Sequence, residues 1–267
     1  MFRRSKASQV FMVALGIILA AIVLLPVLYI FIGAFTFNAS GVVSRPTLGN
    51  FTAAASSMPL VRQVGNSIIV TVCQTVGQIV TAILAAYAIV FCNFKRPQLW
   101  MMIFLLSLMI PGETTILSNY LNVTNWGLID TIPAIFLPYL VQGFTVFLFR
   151  QAFRSFPSEL RDACAIDGAG HFRFMFHILL PITKSTIIAA TINSAVSAWN
   201  GYFWPLLVTN SPETRTIQVG ITQLSGAESS HMGVVLAGSA IAIIPTLILT
   251  LTFNKSLRGM TVAGGLK

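Results

Sequence analysis

The chain has 267 residues, of which 55% are hydrophobic and only 9% charged, with mean hydropathy +0.82 and a formal net charge of +9. Soluble domains carry about 25% charged residues, so this composition excludes a soluble enzyme, a secreted disulfide scaffold and a disordered tail, and describes an integral membrane protein. Cys73, Cys92 and Cys164 form no C-x-x-C pair, so no disulfide framework or zinc site is signalled.

A helix crosses a bilayer with roughly 20 apolar residues. Six such segments are predicted, at 10–33, 66–92, 99–117, 132–149, 185–208 and 234–253, giving an all-α, polytopic chain expected to form one transmembrane domain over 1–267. The first is too long for a signal-peptide core and is read as a retained helix. The alternating segments of a membrane barrel are missing. Six spans put both termini on one side, with the loops 93–98 and 150–184. That side carries every Lys and Arg except Arg45, Arg62 and Arg215, and the positive-inside rule makes it cytoplasmic. The basic balance therefore reflects topology, not a nucleic-acid surface; no array of basic and aromatic residues accompanies it.

Span two carries a polar stripe. Ser67, Thr71, Gln74, Thr75, Gln78 and Thr81 fall within about 120° of one helical face, with Val72, Val76, Ile79, Val80 and Ile83 opposite. Lipid offers no hydrogen bonds, so the stripe faces other helices or a hydrophilic path; Gln74 and Gln78 suit interhelical hydrogen bonding or a conduit. In span three, Glu113 follows Pro111-Gly112. A carboxylate at membrane depth is a functional-site candidate, or an organiser of a broken helix. In span five, Thr186, Asn193, Ser197, Asn200 and Trp204 are expected on one face, with Gly201 and Pro205 loosening the outer end. Trp199, Asn200, Tyr202 and Trp204 gather there, a set that suits a polar organic solute or an interfacial aromatic belt. The candidate pathway residues are Gln74, Gln78, Glu113, Asn193, Ser197, Trp199 and Asn200. Prolines at 26, 111, 138, 205 and 245 interrupt the spans and free backbone carbonyls.

The loop 150–184 holds the sharpest local signal. Pro157-Ser158 suits a helix start with Ser158 as cap. Glu159 and Asp162 lie in the first turn, where the helix dipole favours anions, and Gly168 suits a left-handed stop. A short exposed helix results, with small Ala163 and Cys164 letting a partner's wall approach. Phe172, Phe174, Met175, Phe176, Ile178 and Leu179 then lead back toward the bilayer.

The spaced pattern Asp162-Ala163-Cys164-x3-Gly168-x9-Ile178-Leu179-Leu180-Pro181 resembles the EAA loop of bacterial ABC-importer permeases, E-A-A-x3-G-x9-I-x-L-P, departing by Asp162 for Glu and Cys164 for Ala. Pro157, Glu159, Ile166-Asp167-Gly168-Ala169, Pro111-Gly112-Glu113, Trp199-Asn200, Pro205-Leu206-Leu207, Arg258-Gly259-Met260-Thr261 and Gly264-Gly265-Leu266-Lys267 resemble the carbohydrate-type branch. Within it, the segment from Trp199 to Leu207 is most similar to the second permease subunit of glycerol-3-phosphate or glycerophosphodiester importers. Similar segments occur in maltose-type permeases.

The resemblance implies a type I importer permease fold in a bacterial cytoplasmic membrane. It implies a homologous second permease subunit, two ATPase subunits below and an extracytoplasmic solute-binding protein. The chain has no G-x-x-x-x-G-K-[ST] loop, so ATP and Mg belong to the ATPases and this chain is expected to bind no cofactor and to catalyse nothing itself. Helix 158–169 is expected to seat in the ATPase, with Glu159, Arg161, Asp162, Ala163, Asp167 and Gly168 as coupling residues. The rival reading is an ion-coupled secondary transporter, for which Glu113 is the sole intramembrane acid. His171, His177 and His231 lack catalytic or metal-binding spacing and are read as interfacial.

Overall fold

A computed structural model describes residues 6–38, 40–92, 95–226 and 231–264. Arg3, Arg4, Gly265, Leu266 and Lys267 fall outside these residues, as do the side chains of Lys6, Lys255 and Arg258. The described chain is helical, with one isolated antiparallel bridge between Phe37 and Val43.

Three uninterrupted helices are long and apolar enough to cross a membrane: Val10–Thr36, Leu60–Phe91 and Met232–Leu251. Three further candidates are bent pairs: Pro97–Ser107 with Gly112–Asn125 (92°), Ile132–Tyr139 with Gly143–Arg154 (48°), and His171–Ile182 with Lys184–Trp199 (78°). Three of the predicted spans are interrupted within their bounds. Span three breaks because Pro111 disfavours helical backbone at the preceding residue and itself takes an extended ψ of 134° as the cap of the next helix. Span four breaks at Gln142, which is extended. Span five ends at Trp199, and residues 203–208 form a separate short helix. Pro26 and Pro245, by contrast, lie inside continuous helices.

The chain divides into two compact units. The first contains α1 (Lys6–Thr36), α2 (Gly49–Ser57) and the outset of α14 (Met232–Gly264). Its core is small: Ala34, Leu236, Ala237 and Ala240 pack together. The Asn50 side-chain amide donates to the carbonyls of Ala34 and Phe37, both at 2.9 Å, satisfying the end of α1. Upstream, α1 is apolar and exposed along its length, as befits a helix whose solvent is lipid.

The second unit holds α3 (Leu60–Phe91), α4 (Pro97–Ser107), α5 (Gly112–Asn125), α6 (Ile132–Phe136), α7 (Gly143–Arg154), α8 (Ser158–Ile166), α9 (His171–Phe174), α10 (Leu180–Ile182), α11 (Lys184–Trp199) and α12 (Phe203–Val208). A 3-10 turn at Leu137–Tyr139 and a π turn at Met175–Leu179 interrupt it; α13 (Ile217–Gly226) belongs to the first unit from Gly220 onward. The larger core joins Tyr87, Val146, Phe149, Phe153, Phe174, Met175 and Leu179. The smaller joins Val70, Val123, Ala134, Ile135, Trp204 and Val208. Gly143 sets the approach of α7 to α4: a Cβ there would lie 2.5 Å from the Phe104 carbonyl oxygen.

Candidate functional site

The polar stripe of α3 turns inward. Ser67, Thr71, Gln74, Thr75 and Gln78 are buried, while Val72, Val76 and Val80 are exposed. Of the expected apolar face, Ile79 and Ile83 are the exceptions: Ile83 is part of the core and half-buried Ile79 packs against it. The amides along α3 do different jobs. Gln63 donates to the Pro212 carbonyl at 3.1 Å, and Asn66 to the carbonyls of Glu213 (2.8 Å) and Arg215 (3.0 Å). Gln78 donates to the Tyr139 carbonyl at 2.7 Å, and Thr81 to the Leu140 carbonyl at 2.8 Å. These two carbonyls are freed by the break before α7, so the stripe repairs what the broken span exposes. Gln74 makes no such bond among the described residues, and Gln78 Oε1 is buried without a partner.

Gln74 and Gln78 open onto a groove of ≈ 270 Å³ lined also by Tyr139, Gln142, Ser197, Tyr202 and Trp204. Two structural bonds shape its walls. The Trp204 indole donates to the Ala134 carbonyl at 3.1 Å, and Thr145 donates to Gln142 Oε1 at 3.0 Å. The described lining carries no Lys, Arg, Asp or Glu. Aromatic faces with amide and hydroxyl groups suit a polar, hydroxyl-bearing solute.

The structure gathers only part of the predicted pathway set. Gln74, Gln78 and Ser197 share the groove. Asn193, Ser197 and Asn200 lie along one exposed side of α11, and Asn200 turns its amide back to the Val196 carbonyl at 2.9 Å. Trp199 is buried outside the groove lining. Glu113 is not deep in a continuous span: it sits exposed in the first turn of α5, where the helix dipole favours it. Trp204 belongs to α12, not to the face of α11. Tyr139 and Gln142 were not foreseen, because their segment becomes a wall only once span four breaks.

The loop between α7 and α11 has two contrasting halves. In α8, Glu159, Leu160, Arg161, Asp162, Ala163 and Ile166 are exposed, Ile166 at 87%. Arg161 meets Asp162 in an exposed ion pair of 3.1 Å. Gly168 adopts φ +74°, the left-handed stop expected of it, and among the described residues nothing lies within 4 Å of a Cβ built there. After it, Phe174, Met175 and Leu179 are buried. The Tyr87 hydroxyl lies 2.9 Å from His171 Nδ1 and donates at 3.2 Å to the His171 carbonyl. His171 is thus a tether between α3 and the loop, not merely interfacial.

A second clamp closes the 209–216 loop. Asp130, at φ +62°, accepts from the backbone N–H of Asn210 (2.8 Å) and Ser211 (3.0 Å) and from the Thr214 hydroxyl. Partial burial pushes its carboxyl up, but the bonds from Thr214, Ser211 and Asn210 outweigh it and hold the group at about 2 instead of 3.8. The clamp contributes stability above the ordinary carboxylate range and loses it as acid protonates Asp130. Nothing local in the sequence around Ile129-Asp130-Thr131 announces it; the partners are some eighty residues away.

Comparison with known proteins adds three findings. The family described as binding-protein-dependent transport system inner membrane component matches residues 9–259. The sn-glycerol-3-phosphate transport system permease protein UgpE of Agrobacterium fabrum is 35% identical over 262 residues, 91% of each chain. That of Rhizobium meliloti is 33% identical over the same coverage, and that of Brucella suis 35% identical over 73% of this chain and 70% of its own. A chain in the crystal structure of a bacterial ABC transporter involved in import of the acidic polysaccharide alginate superposes with TM-score 0.82 at 21% identity, covering 96% of this chain and 99% of that one. The last comparison shows a shared permease fold.

Proposed function

The chain belongs to the family of binding-protein-dependent transport system inner membrane components, and on that premise we propose that it forms half of the pathway for glycerol-3-phosphate or a related polar solute. The chain is a permease subunit, a transport component with no catalytic role of its own. In this reading residues 1–267 serve as one transmembrane domain in a bacterial inner membrane, termini in the cytoplasm. A homologous permease supplies the other half, an extracytoplasmic binding protein delivers the solute, and two ATPase subunits carry ATP and Mg. The ion-coupled alternative loses its footing to the family membership.

Gln74, Gln78 and Ser197 line the solute's route, with Asn193 and Asn200 on the open side of α11 and Trp199 supporting that helix from within. Glu113, exposed in the first turn of α5, flanks the route in this reading. Since the groove lining is uncharged, this subunit grips hydroxyls, and a solute phosphate needs basic groups elsewhere in the complex.

The observation that carries the coupling role is α8, exposed from Ser158 to Ala163 and at Ile166, anchored to the core among its described residues only through half-buried Cys164, and closed by a glycine in the left-handed region. Glu159, Arg161, Asp162, Ala163, Asp167 and Gly168 serve a surface outside the chain. ATP drives the permease only through different affinity of the ATPases for its two states, and α8 is the contact that conveys it. Gly168→Asp is the test. Among the described residues nothing lies within 4 Å of a Cβ at this position, so the complex should assemble, while solute-stimulated ATP hydrolysis falls by at least an order of magnitude. Gly168→Ala, costing about 1 kcal/mol of backbone strain, should retain most of it. Normal transport by Gly168→Asp would overturn the docking role.

A further inference from the structure

One cavity lies apart from the groove and reaches α8 only at Ser158 and Arg161. It lies where α3 ends, α4 begins and α7 runs into α8, and measures ≈ 340 Å³. Its floor is apolar, built on Phe91, Phe153 and Phe156, and its rim carries Arg150, Arg154 and Arg161.

The arginines are not equivalent. Arg161 is already turned onto Asp162. Arg150 and Arg154 stand one turn apart on α7, the spacing at which like charges repel. Neither meets a carboxylate within ion-pair distance among the described residues, and Arg150 Nε is buried with no hydrogen-bond partner. Two guanidiniums therefore converge on one cavity without a counter-charge. Beyond Pro97 and Gln98 at its edge, α4 turns Leu99, Met102, Ile103 and Leu106 outward, all exposed. An occupant must satisfy paired cations and apolar surface together.

We propose that this cavity seats the phosphate of an anionic phospholipid. Arg150 and Arg154 hold the phosphate oxygens, since guanidinium forks match phosphate geometry, and the acyl chains lie along the outward face of α4. The depth fits: the cavity is at the ends of α3 and α4, where a spanning helix meets the headgroups. Basic pockets between transmembrane helices on the cytoplasmic side bind such headgroups. Arg161, at the rim, puts the lipid beside α8, so bilayer composition would bear on the same segment that meets the motor.

The test is native mass spectrometry of the full-length chain, purified in detergent with the subunits that accompany it and exposed to phosphatidylglycerol or phosphatidylethanolamine. Phosphatidylglycerol should be retained in preference. R150Q/R154Q should lower its affinity roughly 25-fold, about fivefold per guanidinium. Arg154→Gln alone should lower it about fivefold, which keeps the test decisive if the double variant fails to fold. Arg173→Gln, which removes an exposed charge outside the cavity lining, should leave retention unchanged. Equal retention of the two lipids would overturn the proposal, as would indifference to Arg154→Gln. Displacement by millimolar inorganic phosphate would assign the cavity to a soluble phosphate and overturn the lipid as occupant.

Discussion

The two halves of the loop between α7 and α11 obey opposite rules. Ser158–Ile166 is exposed but for half-buried Cys164, and it closes on a glycine with open space beside its Cα among the described residues. His171–Ile182 is sunk into the aromatic core through Phe174, Met175 and Leu179. A segment that makes few contacts at home has its residue types chosen by something outside the chain. A segment locked into the core carries a push on the first half into the bundle instead of dissipating it. Coupling needs both: a face left free and a root held fast.

The largest effect that separates the halves concerns their leucine and isoleucine. Leu179 is fully buried, and Leu179→Ala should cost about 2–5 kcal/mol of unfolding free energy. Ile166→Ala, at the exposed end of α8, should change stability by less than about 0.5 kcal/mol yet weaken capture of the ATPase. Thermal unfolding in detergent paired with a pull-down reads both. If Ile166→Ala destabilises the isolated chain while leaving capture intact, the contrast fails.

The same contrast recurs at smaller scale within α3. Gln78 is committed to the Tyr139 carbonyl at 2.7 Å, whereas Gln74 faces the groove without a bond among the described residues. Gln78→Leu strands a buried carbonyl and should cost about 1–3 kcal/mol, lowering abundance in the membrane together with uptake. Gln74→Leu should leave abundance alone and impair uptake of radiolabelled solute. Equal loss of abundance for both would make the whole stripe a packing device.

Much of this was legible before any coordinates. Apolar run lengths located the spans, the direction of the α3 stripe followed from helical periodicity, and Gly168 could be read as a left-handed stop because few other residues tolerate that backbone. What escaped depended on breaks and distant partners. Pro111 signalled a weak point, but not that the chain would turn by 92° there and bring Glu113 to an exposed first turn. Trp204 was read on the face of α11 because periodicity assumes a continuous helix, and the helix stops at Trp199. The Asp130 clamp and the Tyr87–His171 pair join residues 80 and 84 positions apart, and no local pattern encodes such a pairing.

Tyr87 offers the smallest and most selective test of how the root is held. Its ring is buried among Phe91, Phe174 and His171, so Tyr87→Phe keeps the packing and removes only the hydroxyl. Losing the hydroxyl's two contacts to His171 should cost about 1–3 kcal/mol, too little to unfold the chain. Its consequence lies in coupling, since the hydroxyl is what ties α9 to the helix that carries the groove glutamines. Solute-stimulated ATP hydrolysis should fall while basal hydrolysis and complex assembly persist. His171→Ala should add little to that loss if both residues act through the same bond, because a double-mutant cycle of interacting partners is non-additive. Additive losses would mean that the two side chains serve separate purposes, and that the core alone, without this tether, roots the loop.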